Sequence, residues 1–238
     1  MNQYITFNGV SSGDIGPNGL IIEKMPDEIK PARNIEEYSI PGRDGRQIED
    51  LGGYDLYKTQ IKINCNGADL TDVYAWLDGE GWMVTSDDPE YMRYAGFCDQ
   101  INDQRFRAGT CFDTITVPVY IQPYKYLAVQ EDIELAEPAV FSGQGNQNAL
   151  PVIEITGSGD ITLMVNGSSV LINDLDGTII LDCDTETPYM EINGDTVFSG
   201  RKITVVDDEW PYLEPGTNSV NWSGQVSKLV IHPWWRWI

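Results

Sequence analysis

The stretch Tyr57-Lys58-Thr59-Gln60-Ile61-Lys62-Ile63-Asn64-Cys65 decides the fold class. Tyr57, Thr59, Ile61, Ile63 and Cys65 alternate with Lys58, Gln60, Lys62 and Asn64. A period of two places the first set on a buried face and the second in water. A helix would scatter the same residues around its circumference. The segment is expected to be a half-buried strand, and the chain around it mainly β.

Upstream, the first 25 residues alternate short apolar runs (Tyr4–Phe7, Leu20–Ile22) with turn formers. Ile35 to Ile40 reads as a strand, and Pro41–Asp55 as a long polar loop that joins it to the strand at 57–65 and reaches outward. The loop opens with Pro41-Gly42-Arg43-Asp44-Gly45-Arg46. Pro41 fixes φ and removes a donor, while Gly42 and Gly45 permit positive φ, so the backbone can reverse sharply. Arg43, Asp44 and Arg46 then project from a rigid turn, able to pair with carboxylates or with each other.

Downstream, one helix is expected at about 69–78. Asp69 is its N-cap, Gly79 closes it, and Leu70, Val73, Trp76 and Leu77 share a face that packs on a sheet. Trp82–Thr85, Arg93–Cys98 and Phe112–Tyr120 follow as strands, with a turn at Asp87-Asp88-Pro89. An acidic patch (Glu131, Asp132, Glu134, Glu137) then separates an N-terminal domain, 1–130, from a C-terminal one, 131–238.

The second domain reads as strand and turn throughout. Seven short strands are expected: Pro151–Thr156, Ile161–Val165, Val170–Ile172, Thr178–Leu181, Tyr189–Ile192, Ser219–Trp222 and Ser227–Ile231. Gly-Ser-Gly-Asp (157–160), Asn166-Gly167, Asp176-Gly177 and Asn193-Gly194 separate them. Asn-Gly and Asp-Gly favour the primed turns of two-residue hairpins. Seven strands at this spacing indicate a β-sandwich.

Charge sets the strongest limit on partners. The 238 residues include 37 acidic and 15 basic side chains, net −22. Residues 1–126 carry 11 basic and 20 acidic groups and residues 127–238 carry 4 and 17, so the acidity covers both halves. Such a field repels phosphate and argues against sequence-reading of nucleic acid, while it suits a surface past which DNA slides without sticking.

Little points to catalysis. The only histidine is His232, and Cys65, Cys98, Cys111 and Cys183 are far apart, which argues against a Cys/His zinc site and for buried, reduced thiols. No GxSxG elbow or phosphate loop is present, and Asp182-Cys183-Asp184 falls short of a calcium loop. No catalytic residue, cofactor or metal is therefore expected. The N-terminus lacks the basic and apolar regions of a signal peptide, and no apolar run approaches the roughly 20 residues of a membrane span. A soluble protein made in the cytoplasm, without membrane insertion, is expected. Five tryptophans crowd residues 210–237, and aromatics on a sandwich can stack on sugars. Trp210 and Tyr212 are the candidates for glycan or partner contact; Trp222 is expected in the core and Trp234–Trp237 at an interface.

Taken in order, these landmarks resemble the distal tail protein family (Dit) of long-tailed, siphovirus-type bacteriophages. In the first half they are Phe7-Asn8-Gly9, the Gly16–Leu20 turn, Ile40-Pro41-Gly42-Arg43-Asp44-Gly45, the helix with Trp76-Leu77, and the strand before Asp87-Asp88-Pro89. In the second they are Ala149–Ile155, Leu181-Asp182, Leu213–Trp222 and the Pro233–Trp237 ending. The resemblance spans nearly the whole chain and rests on the order of its motifs.

It implies a β-rich, ring-forming N-terminal domain with one helix and a galectin-like C-terminal β-sandwich. Six copies would close into a ring at the distal end of the virion tail, between the tail tube protein and the baseplate or tail-associated proteins. The lumen would pass genome DNA without specific binding, and the C-terminal domain could hold a receptor-binding or adhesion protein for host attachment. Pro41, Gly42, Arg43, Asp44, Gly45 and Arg46 would then meet a neighbouring subunit. The alternative is a carbohydrate-binding module that recognises host surface glycans.

Overall fold

The computed structural model describes residues 3–103, 114–192 and 195–238. Cys111, the Phe112 start of one expected strand and the Asn193-Gly194 turn lie outside the described residues. The chain divides into two compact units, Met1–Ala128 with Ile238, and Val129–Trp237. Both are β, and α1 (Leu70–Trp76) is the one α-helix among the described residues.

Unit 1 begins with β1 (Ile5–Phe7), β2 (Val10–Ser11) and β3 (Ile21–Lys24). A hairpin of β4 (Arg33–Ser39) and β5 (Arg46–Tyr54) comes next, then β6 (Tyr57–Asn64). After α1 come β7 (Gly79–Thr85), β8 (Tyr91–Phe97), β9 (Asn102–Asp103) and β10 (Thr114–Leu127). The main sheet is antiparallel in the order β2-β1-β7-β8-β10-β6-β3, with β9 also on β10.

The alternation at residues 57–65 works as expected. Thr59, Ile61, Ile63 and Cys65 are buried, and facing them β10 buries Ile115, Val117, Val119 and Ile121. Asp69 caps α1 by accepting the Thr71 amide at 2.8 Å. Val73, Trp76 and Leu77 enter the core, and the Trp76 indole donates to the Val10 carbonyl at 3.2 Å.

Unit 2 comprises β11 (Ile133–Leu135), β12 (Ala139–Gly143), β13 (Val152–Val165), β14 (Ser168–Asp182), β15 (Thr187–Ile192), β16 (Asp195–Phe198), β17 (Ile203–Val205) and β18 (Gly216–His232). The order is β11-β18-β13-β14-β15-β16, with β12 also on β18 and β17 also on β14.

Six of the seven short strands expected here are in fact three long ones. β13 and β14 each run through a site expected to be a turn, and β18 runs unbroken between the two short strands expected at Ser219–Trp222 and Ser227–Ile231. Gly157 faces Gly177 and Ser158 faces Asp176 inside the β13–β14 ladder. The cause is steric. A Cβ on Gly157 would lie 2.3 Å from the Gln225 carbonyl oxygen, and one on Gly224 would lie 2.4 Å from that of Asp160. Glycine lets β13 and β18 bend in close contact, and strands bent in this way can carry one sheet around its own core.

The register slips at the same place. Asp174 takes φ 48° as an extra residue in β14, and the buried set changes from Ser168, Val170 and Ile172 to Leu175, Ile179 and Leu181. That exchange of even for odd positions keeps apolar residues inward on both sides of the bend. Asn166-Gly167 is the tight turn expected, between Val165 and its partner Ser168. Trp235, not Trp222, is the buried tryptophan of this unit.

Candidate subunit-assembly surface

The segment expected as a long loop is half strand. β5 pairs with β4 from Ser39–Arg46 through Tyr38–Gln47, Glu37–Ile48, Glu36–Glu49 and Ile35–Asp50, ending at Arg33–Tyr54. The arm is a separate two-stranded sheet whose residues are exposed on both faces over almost its whole length. The strand character of β5, unlike that of β4, escaped the sequence because no buried face imposes a period of two. Ile48 and Leu51 sit three apart, and Gly52-Gly53, both at positive φ, form a bulge.

Pro41–Arg46 lies at the tip. The Arg43 amide donates to the Ile40 carbonyl at 3.2 Å, with Pro41 and Gly42 (φ 81°) between them. Proline followed by a positive-φ glycine is the arrangement of a type II turn. Arg43 and Asp44 are exposed and make no ion pair among the described residues, whereas Arg46 Nη1 lies 2.6 Å from Glu37 Oε2. At the base Arg33 stacks on Tyr54, 4.3 Å from the ring centroid, and Tyr54 meets Tyr124 edge-on.

The two faces of the arm differ. One carries Arg33, Ile35, Glu37, Arg46, Ile48 and Asp50; the other carries Glu36, Tyr38, Gln47, Glu49 and Leu51. Tyr38 donates to Glu36 Oε2 at 2.5 Å, and that bond pushes the phenol pKa above its ordinary value. Ile48 is 63% and Leu51 53% exposed. A lone two-stranded ribbon is marginal in water. Apolar side chains and unpaired strand edges on such a ribbon are what a neighbouring subunit would cover.

Trp210 and Tyr212 are not on this surface; both are half-buried in unit 2, where the Tyr212 carbonyl accepts from Asn166 Nδ2 at 3.1 Å. Three polar clusters were not singled out by the sequence. The first joins Asn166 and Asn218, the second surrounds Asp88 in unit 1, and the third surrounds His232.

His232 Nδ1 lies 2.6 Å from Asp132 Oδ1, and Nε2 lies 3.1 Å from Glu154 Oε1. Burial opposes the imidazolium, but the two carboxylates outweigh it and raise the pKa above 6.5. A raised folded-state pKa gives stability that is complete below the unfolded value and lost as pH rises through the folded one. The clasp ties the start of β11 across β18 to β13. Protection of the Ile133–Leu135 amides, corrected for intrinsic exchange, should therefore fall as pH rises above about 6.5, by up to ~1 kcal/mol. His232→Gln should remove that dependence, and an unchanged slope would refute the clasp.

Of the cysteines, Cys65 and Cys183 are buried, and burial pushes the Cys183 thiol pKa far up; Cys98 is exposed, contrary to expectation. Among the described residues no cluster of three or more His, Cys, Asp or Glu side chains is placed to hold a metal ion, and no helix is long and apolar enough to cross a membrane.

The architecture has a solved counterpart. The crystal structure of SPP1 Dit (gp 19.1) superposes with a TM-score of 0.70, and the match covers 100% of both chains. This chain has the SPP1 Dit fold. Sequence identity is 11%, so the likeness is carried by structure. SPP1 Dit is described as a paradigm of hub adsorption apparatus in phages that infect Gram-positive bacteria. No family model and no curated relative matches the sequence. With side chains so diverged, the Dit fold itself does not say which residues of this chain act.

Proposed function

We propose that the protein is a structural, non-catalytic subunit of a phage tail hub, located at the distal end of the virion tail. Six copies close into a ring that joins the tail tube protein to baseplate or adhesion proteins and leaves a lumen for DNA. Residues 1–130 would form the ring, and 131–238, a galectin-like sandwich, would hold partners. The observation that carries this reading is the β4–β5 arm, an exposed ribbon on a fold shared end to end with a hub protein. A closed ring needs head-to-tail contacts in which one patch meets a different one next door. The arm supplies one such patch, with Arg43, Asp44 and Arg46 at its tip and Ile48 and Leu51 along it.

Light scattering on a sizing column, followed by negative-stain images of the peak, should show sixfold rings. Arg43→Ala with Arg46→Ala should cost on the order of 1–2 kcal/mol per interface and shift the peak toward smaller species. Ile48→Asp should do so more completely, without loss of fold, because the site is exposed. A double variant with the mass of the wild-type ring would remove the tip from the interface. A wild-type chain that stays monomeric with tail tube protein present would overturn the ring.

A further inference from the structure

We propose that the open edge of β16 and the outer face of β14–β16 form a docking surface for an extended, lysine- or arginine-bearing segment of a partner protein. Four observations converge there.

First, among the described residues β16 pairs with β15 alone, and its side chains are exposed, Phe198 by 70%. An unpaired edge offers amides and carbonyls to a guest strand. Second, cross-strand pairing sets a row on one face: Phe198 opposite Tyr189, Tyr189 opposite Ile180, Ile180 opposite Glu154. Side chains directly opposite share a face and touch, so the row runs from the exposed Phe198 through the half-buried Tyr189 to the buried Ile180 and ends in a carboxylate.

Third, Phe198 is exposed but held. A Cβ on Gly200 would lie 2.4 Å from Phe198 Cζ, so the ring rests on the Gly200 backbone. The turn beneath it is fixed by Ser199 N to the Pro188 carbonyl (2.9 Å) and Ser199 Oγ to the Val197 carbonyl (3.1 Å). Fourth, carboxylates lie along this face, with Glu154 paired to His232 and with Arg201 and Lys202 following Gly200 in a short 3-10 turn. Asp182 and Glu191, two positions along from Ile180 and Tyr189, lie on the same face, and neither is in an ion pair among the described residues. Burial raises the Tyr189 pKa, and Asp182, Glu154 and Glu191 raise it further, which places all three carboxylates within electrostatic reach of the ring.

An aromatic pair rimmed by carboxylates suits a cationic side chain, which gains from the ring faces and the acidic rim together. Residues 127–238 carry 17 acidic and 4 basic groups, so an acidic or phosphorylated segment would be repelled. A strand laid along β16 would place every second side chain beside Thr196 and Phe198, from where a long cationic side chain can extend toward Tyr189. The inference concerns unit 2 alone and does not depend on ring closure: either can fail while the other holds.

The test is titration of the isotope-labelled full chain with acetyl-Val-Arg-Val-Arg-Val-amide, followed by amide NMR shifts. Citrulline replaces arginine in the control peptide. Saturable shifts are expected at Tyr189–Glu191 and Thr196–Gly200, with at least tenfold weaker binding of the citrulline peptide. Phe198→Ala and Glu191→Gln should each weaken binding about fivefold. Gly200→Ala, which displaces the ring but leaves β16 in place, should do the same. Shifts spread over the whole acidic surface, equal binding of both peptides, or tighter binding of lactose at the same residues would each overturn the proposal.

Discussion

Asn218→Leu is expected to destabilise unit 2 by about 3 kcal/mol, as one buried amide organises a whole loop. Asn218 is fully buried. Its Oδ1 accepts from the Glu214 amide and from Asn166 Nδ2, both at 2.7 Å. Its Nδ2 donates to the carbonyls of Glu214 (2.9 Å) and Gly216 (3.2 Å). Asn166 extends the network to Tyr212 and, through its Oδ1, to the Ser219 amide at 2.8 Å. Leucine nearly matches the volume but leaves donors and acceptors unmet, each at a cost of ~1–3 kcal/mol where water cannot reach. Gly143 closes the space, since a Cβ there would lie 2.6 Å from Asn218 Nδ2.

Asn218→Asp separates shape from hydrogen bonding. It keeps the acceptor but turns an oxygen toward the Glu214 and Gly216 carbonyls. The variant should be weakest at neutral pH and recover in acid, where a protonated carboxyl can donate again. Urea unfolding followed by the buried Trp235 reads both variants. Wild-type midpoints in both would mean that the loop is held by something else.

Asp88→Asn is expected to cost unit 1 about 2–3 kcal/mol. Asp88 Oδ2 lies 2.8 Å from Arg93 Nη2 and 3.0 Å from Lys125 Nζ, whose side chains are 12% and 23% exposed. Glu28, at 3.5 and 3.8 Å, is a more distant and exposed second partner. The cluster lines a pocket of about 190 Å³ with Tyr57 and Met83. Removal of the carboxylate strands two largely enclosed cations, which is much worse than never having buried them.

The same group sets an acid limit. Burial pushes the Asp88 pKa up, but hydrogen bonds from Lys125 and Arg93 outweigh it, and the net value lies below 3.8. A depressed folded-state pKa gives stability that is present above the unfolded value and lost as pH falls through the folded one. Wild-type unit 1 should therefore lose stability below about pH 3.8, while Asp88→Asn should be weaker at pH 7 and lose less in acid. Parallel acid-unfolding curves would rule this out.

Legibility of the fold in the sequence followed burial. β6 and α1 each present one face to a core, so their periods were readable at Tyr57–Cys65 and at Leu70, Val73, Trp76 and Leu77. The β4–β5 arm has no core face, so its second strand looked like loop. Gly157–Asp160 and Asp176-Gly177 have turn composition, yet serve as bends inside long strands, because glycine answers both to a reversal and to a close neighbour. Only the packing of β18 against β13 distinguishes these cases, and its pairs lie 55 to 80 residues apart. At the candidate site the tip was visible as Pro41-Gly42 turn chemistry. The apolar Ile48 and Leu51 were not, since an isolated apolar residue between polar neighbours carries no period. The Asn166–Asn218 pair had no signal at all, because its partners are mostly backbone atoms.

The position of β18 also governs how unit 2 can form during synthesis. β11, β12 and β13 all pair with it, yet it is made last of the four. Until residues 216–232 leave the ribosome, β11 and β12 have no strand partner among the described residues and β13 keeps an open edge, while β13–β14 and the pairs of β14 with β15 and β17 can already form. Non-local closure of this kind is slow and exposes sticky intermediates. The nascent chain should therefore depend on chaperones late in translation, and ribosomes stalled just before residue 216 should present an aggregation-prone half-sheet.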